Sequence, residues 1–131
     1  MNEHTDHTKL VQGFLKEQGD VFASSAQGIY AFLDDDARVC NQKFATLLGY
    51  ESADEWASVD VKGSFPDTFV DGKSQTALVS AYQDAMENMA GSTFQVTWKK
   101  KTGGTVDSTV ILVSVEYQGH VFALHFVTKA E

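Results

Sequence analysis

The spacing of apolar residues changes at Gly91, and that change limits the possible folds more than any other feature of the chain. Before it, Leu78, Tyr82, Met86 and Met89 form one stripe over residues 72 to 90, widened by Val79. This is the spacing of an amphipathic helix, with Gly91 as its stop. After it come three runs rich in Val, Thr, Phe and Ile: Thr93 to Lys100, Val106 to Tyr117 and Val121 to Thr128. The joints between them, Thr102-Gly103-Gly104 and Gln118-Gly119, have hairpin length, so the runs are predicted to form an antiparallel meander. A long helix leading into a meander points to an α+β fold.

Shorter elements precede this pair. Leu10, Val11, Phe14 and Leu15 predict an amphipathic helix over residues 5 to 17, with Thr5 or Asp6 as N-cap. A second, short helix is predicted from Asp20 to Ala26, contributing Val21 and Phe22 to the core and ending before Gly28. Ile29 to Leu33 reads as a strand, Asp34-Asp35-Asp36 as a turn, and Arg38-Val39-Cys40 as its returning partner. Asn41 is a good N-cap for a helix with Phe44, Leu47 and Leu48 on one face and Gly49 as a left-handed stop. Ser52 and Glu55 have capping-box spacing, which opens another short helix anchored by Trp56. Residues 59 to 70, with Pro66 between Phe65 and Phe69, read as an irregular segment packed by aromatics.

Bulk properties exclude several function classes. A chain of 131 residues suits one core, and 43% apolar with 21% charged residues is a folding composition. The formal charge of −8 leaves Lys99-Lys100-Lys101 as the one basic run, which argues against nucleic acid and anionic membrane surfaces. No apolar stretch approaches the roughly 18 residues of a spanning helix. The polar start carries no secretory core, and Cys40 is the sole cysteine, so a soluble protein of the cytoplasm is expected.

The order β-β, helices, β-β-β, and within it Gly28-Ile29, Asp34 to Asp36, and the phrase Asn41…Phe44…Leu47-Leu48-Gly49-Tyr50, resemble PAS domains over about residues 20 to 128. The resemblance implies a five-stranded antiparallel sheet in the order 2-1-5-4-3, with helices on one face. It divides the chain into a flanking amphipathic helix at 1–19 and a PAS domain at 20–131. It also implies a ligand pocket between helices and sheet, or a role in dimerisation, with output through an attached or separate effector. No effector is read within these residues, so a homodimer or a separate effector protein is expected to carry the signal. Leu10, Phe14 and Leu15 on the flanking helix, and Phe122 and Leu124 on the last strand, are the expected interface. Similar flavin-binding light sensors need a cysteine in the irregular helical region, and Cys40 lies too early. Similar haem-binding domains use a histidine on the long helix, and residues 72 to 90 hold none. Both cofactors are therefore disfavoured and the ligand is left unnamed.

Strand alternation then assigns a pocket. Val96 and Trp98, with Ser108, Val110, Leu112 and Ser114, are expected to face inward together with Ile29, Ala31 and Leu33. Phe44, Leu48, Trp56, Phe69, Tyr82 and Met86 form the expected lid. His125 shares a face with Val121 and Ala123, and the resemblance puts it where similar domains carry a pocket-lining polar residue, with small Ala123 leaving room. A mostly apolar cavity for a planar or aromatic guest follows. The competing reading is that these side chains fill a core and that His125 is a hydrogen-bonded core histidine. His4, His7 and His120 read as solvated, and Asp34 to Asp36 as a solvated turn. Three function classes remain: a ligand-binding sensory module, a dimerisation module with a full core, and a small cone-shaped α+β enzyme. The enzyme needs a His/Asp dyad in its cavity, and the hairpin ahead of the helices argues against it. No nucleophile and base pair is found, so the chain is not expected to be an enzyme.

Overall fold

The computed structural model describes residues 3–34, 37–61 and 63–130. Its elements run α1 (Glu3–Glu17), α2 (Gly19–Ser24), β1 (Gly28–Asp34), β2 (Ala37–Cys40), α3 (Gln42–Leu47) and α4 (Ala53–Ala57). They continue with α5 (Phe65–Phe69), α6 (Gly72–Asn88), β3 (Ser92–Lys99), β4 (Thr105–Tyr117) and β5 (His120–Lys129). The five strands form one antiparallel sheet in the order β2-β1-β5-β4-β3, as expected. Gln118 and Gly119, at φ 49° and 80°, make the tight turn that pairs Tyr117 with His120. Two positive φ values in a two-residue loop match the twist of the flanking strands. Of the expected Asp34 to Asp36 turn, Asp35 and Asp36 lie outside the described residues.

Each face of the sheet carries a packed cluster under different helices, the outer one confined to the β2-β1-β5 side. On the inner face α3 to α6 pack around Tyr30, Phe44, Trp56, Phe65, Phe69, Trp98 and Val110. On the outer face α1 lies against β2 and β1, and Val11, Phe14 and Phe22 close over Ile29, Ala31, Val39 and Phe122. The Phe14 ring stacks on Phe122 at 4.7 Å, edge-on to Tyr117 at 5.6 Å. Burial of one phenylalanine is worth about 2 kcal/mol, so this contact alone is a strong hold on the helix. Phe14 and Phe122 thus meet within one chain, while Leu10, Leu15 and Leu124 pack partly buried around them.

Ile29, Ala31 and Leu33 are therefore not inward residues. They sit on the α1 face, and Tyr30 and Phe32 take the inner positions opposite His125 and Ala123. Alternation says which residues share a face but not which face is inside, and both faces of β1 are covered, so apolarity does not discriminate there. Three local expectations also shift. Residues 65–69 form α5, capped by the Ser64 hydroxyl, which accepts from Asp67 N, with Pro66 tolerated in its first turn. The long helix ends at Asn88 with Met89 left-handed at φ 53° and exposed, so neither Gly91 nor the end of the Met89 stripe plays the expected part. The first helix starts at Glu3, ahead of Thr5 and Asp6.

Asn41 joins three of these pieces. Its Oδ1 accepts from Phe44 N, capping α3, and from Ile29 N at the start of β1, both at 3.0 Å. Its Nδ2 donates to Phe22 O and Gln27 O, both at 3.0 Å. The side chain is buried, so each bond lost leaves a backbone group unpaired away from water. Asn41→Ala is expected to cost about 2–4 kcal/mol in urea unfolding, and Asn41→Asp, which keeps the acceptor but not the donors, more than 1. A loss under about 1 kcal/mol in Asn41→Ala would show that the junction does not depend on this residue.

Candidate functional site

The sheet, α5 and α6 leave a crevice of about 170 Å³ between them. Tyr30, Phe32 and His125 form its floor, Phe65 and Pro66 one wall, and Leu78, Val79 and Tyr82 the roof. Of the residues expected to bind a ligand, Tyr82 and His125 line it. Phe44, Leu48, Trp56, Phe69, Val96, Trp98, Val110 and Leu112 lie inward but are closed over as core, each at most 1% exposed. Ala123 is buried beneath the Phe32 position, while Met86 and Ser114 are half-buried, away from the crevice lining. Ser108 is no free handle: its Oγ accepts from Trp98 Nε1 at 2.7 Å and donates to Val96 O at 3.0 Å.

Tyr30 is the residue that strand alternation, read with the wrong face inward, leaves out. Its ring lies flat on His125, with centroids 3.9 Å apart and planes 8° from parallel. Phe65 stacks on it at 5.6 Å, and Phe44, Trp56 and Trp98 surround it at 4.8, 5.8 and 5.6 Å. The ring thus fills the middle of the space expected to be a pocket, and the crevice is what remains beside it. Burial pushes the Tyr30 hydroxyl well above its usual range, so it stays neutral.

His125 is also held neutral. Burial drives it from 6.5 down to about 3, against the smaller opposing effect of backbone hydrogen bonds at Ala123 and Tyr30. Nδ1 lies 3.1 Å from Ala123 O, a carbonyl that only accepts, so this nitrogen carries the proton. A histidine of this kind hydrogen-bonds but does not take up a proton near neutrality. Cys40, buried and pushed up to about 12 by desolvation, is a thiol and not a nucleophile.

Arg38, a residue the sequence reading did not single out, supports the wall from behind. It is buried, donates from Nη2 to Trp56 O at 3.0 Å and Val59 O at 2.8 Å, and lies 5.0 Å over Trp56 and 5.1 Å over Phe69. Its carbonyl acceptors are at the C-terminal end of α4, where a cation is favoured.

Element order, strand order, the helical layer over the inner face and the crevice beneath it recur in solved structures. A PAS domain of an HTR-like protein from Haloarcula marismortui superposes with a TM-score of 0.61 at 18% identity, covering 96% of this chain and 99% of that one. A PAS domain from Colwellia psychrerythraea gives 0.64 at 18% identity, with 89% and 97% covered. This is the PAS fold. A LOV protein from Rhodobacter sphaeroides is similar as well, with a TM-score of 0.65 at 14% identity over 90% of this chain and 67% of that one. No protein-family model and no curated protein sequence matches the chain. Within the PAS frame, Tyr30 and His125 occupy adjacent central strands, so the crevice opens at the middle of the sheet.

The neutral state of His125 has a consequence for stability. Its folded value is lowered, so the unfolded chain takes up a proton first as pH falls. The stability it contributes is whole above about pH 6.5 and is lost progressively toward pH 3. Replacing it by Leu is expected to flatten the pH dependence of urea unfolding in that window by about 1 kcal/mol per pH unit. Parallel wild-type and variant curves would show that His125 is protonated in the folded state.

Proposed function

We propose that this PAS domain is a sensory module that binds a small uncharged molecule in the crevice over Tyr30 and His125. The observation that carries this reading is the crevice itself, a half-open space beside an otherwise filled core, with no charged side chain among the described residues of its lining. Its volume is close to the roughly 150 Å³ of an apolar cavity that holds one benzene, and below the roughly 300–1,000 Å³ typical of drug-sized sites. A flavin or haem is too large for it. The site acts by binding and not by chemistry: His125 at about 3 is no base near neutrality, and Cys40 is no nucleophile.

Output is assigned to the outer sheet face. The α1 helix covers β1 and β2, while farther along the same face Ile111 is 41% exposed beside half-buried Val113, Leu124 and Phe126. We assign this patch to a second copy of the chain, with β5 as the connection, since Phe126 and Leu124 alternate with His125 along it. A cytoplasmic site of action fits the buried thiol of Cys40, and no helix among the described residues is long and apolar enough to cross a membrane. A second reading, a dimerisation module without a ligand, is favoured by the complete burial of Phe44, Trp56 and Trp98, which leaves most of the inner space filled.

Native mass spectrometry of freshly purified protein distinguishes these readings. A dimer that retains a small neutral molecule is the expected result. A bare dimer would favour the dimerisation module, and a bare monomer would contradict both.

A further inference from the structure

The two edges of the sheet are finished differently. At one edge β2 is short and wholly buried, with α1 and α4 packed against it. At the other, β3 runs from Ser92 to Trp98 without a charge, proline or glycine, and its register with β4 has no bulge. Those are the usual devices that keep an edge from pairing. The chain itself covers only the far end: Val70 bridges Trp98, Asp71 N donates to Thr97 O at 2.9 Å, and Thr97 N donates to Ser74 Oγ at 2.9 Å. In an antiparallel strand the N–H and C=O of one residue point to the same side, and alternate residues share that side. Thr97 faces the edge, so Gln95 and Thr93 face it too. Both are exposed, and among the described residues no group bonds their edge-facing N–H and C=O.

We propose that β3 takes an added strand at Thr93 and Gln95, supplied by an extended, basic segment of a partner protein. The bridge at Val70 shows that this edge accepts a neighbouring strand; α6 then turns away from the edge at Gly72 and leaves the next two outward positions open. The open backbone groups give such a segment its main-chain bonds, and the side chains beside them select it. Those side chains lie along α6. Ala77, Ala81, Asp84 and Glu87 line a shallow groove with Phe94, whose ring points to the helix side of β3. The alanines leave room for the incoming side chains. Asp84 and Glu87 are exposed and are the charged residues among those described in the groove, within a chain of formal charge −8. Every second residue of an added strand points to this side, so lysine or arginine at alternate positions meets the two carboxylates. A second copy joined edge to edge about Phe94 would instead bring its own Asp84 and Glu87 to the same groove, like charge against like. The crevice is roofed by another flank of α6, Leu78, Val79 and Tyr82, so this inference does not depend on the ligand-binding reading.

The test is an amide NMR titration of the full chain with the peptide acetyl-Thr-Lys-Thr-Lys-Thr-Lys-Thr-amide and with its counterpart carrying Glu for Lys. In the free protein the amides of Thr93 and Gln95 should exchange with solvent faster than that of Val96, which faces β4. The lysine peptide is expected to slow both about tenfold or more and the glutamate peptide to leave them unchanged. Gln95→Pro removes an edge-facing N–H and no bond to β4, and should weaken the lysine peptide about fivefold or more. The double variant Asp84→Lys, Glu87→Lys keeps the backbone edge and should weaken the lysine peptide about threefold while admitting the glutamate one. If Gln95→Pro does not fold, the double variant decides alone, since both of its sites are exposed on a helix. No slowing at Thr93 and Gln95 with the lysine peptide, or equal binding of the two peptides, would overturn the proposal. So would a free protein in which these amides are already slow and a dimer is lost in Gln95→Pro, because a second copy would then hold the edge.

Discussion

The flat contact between Tyr30 and His125, 3.9 Å centroid to centroid, is the constraint on which the inner half of this molecule depends. It joins neighbouring central strands on the inner face and places a large ring where the helical layer must close. Phe44 from α3, Trp56 from α4, Phe65 from α5 and Trp98 from β3 then pack against that ring. Aromatic pairs of this kind gain about 1 kcal/mol beyond the area they bury, and five meet at one residue. The same ring decides how much space is left. A smaller residue at position 30 would open the pocket expected from the resemblance, whereas tyrosine reduces it to a crevice.

A sheet with a packed cluster on each face has a second consequence. The α1 helix and α3 to α6 are linked through single strands whose alternate residues serve opposite cores, as in β5, where Phe122 lies under Phe14 and His125 under the crevice. A guest that displaced His125 would move Leu124 and Phe126, its neighbours along β5, without any intermediate element. Under the proposed function, such a route from inner site to outer surface would need only the stiffness of a strand. The closeness of the two cores also explains why the flanking helix is part of the packed structure and not an appendage.

Much of the fold was legible because local chemistry and global packing agree. The Asn41 cap, the Gly49 stop and the Gln118-Gly119 turn are each demanded by backbone conformation, and all three stand where the sequence puts them. The face of β1 was not legible from apolarity, since Ile29, Ala31 and Leu33 are as fit for a core as Tyr30 and Phe32. The folded structure shows the face at Gly28, where a side chain would come within 3.2 Å of the Phe44 backbone, a closeness that the glycine alone does not announce. Counting by twos from Gly28 reaches Tyr30 and Phe32. The short α5 was hidden because Pro66 reads as a break, although proline suits a first helical turn. The inward residues of β3 and β4 were assigned to the correct face, but face does not tell cavity from core. Whether Trp98 or Val110 touches a guest depends on total side-chain volume, which no spacing rule reports.

The central claim, that the space over Tyr30 and His125 admits a small guest, is tested most directly by isotope-filtered NOE spectroscopy on methyl-labelled protein with saturating toluene. The account predicts NOEs from the guest to the methyl groups of Leu78 and Val79, which roof the crevice. NOEs confined to Ile111, Val113 or Leu124 on the outer face, or none at all, would contradict it.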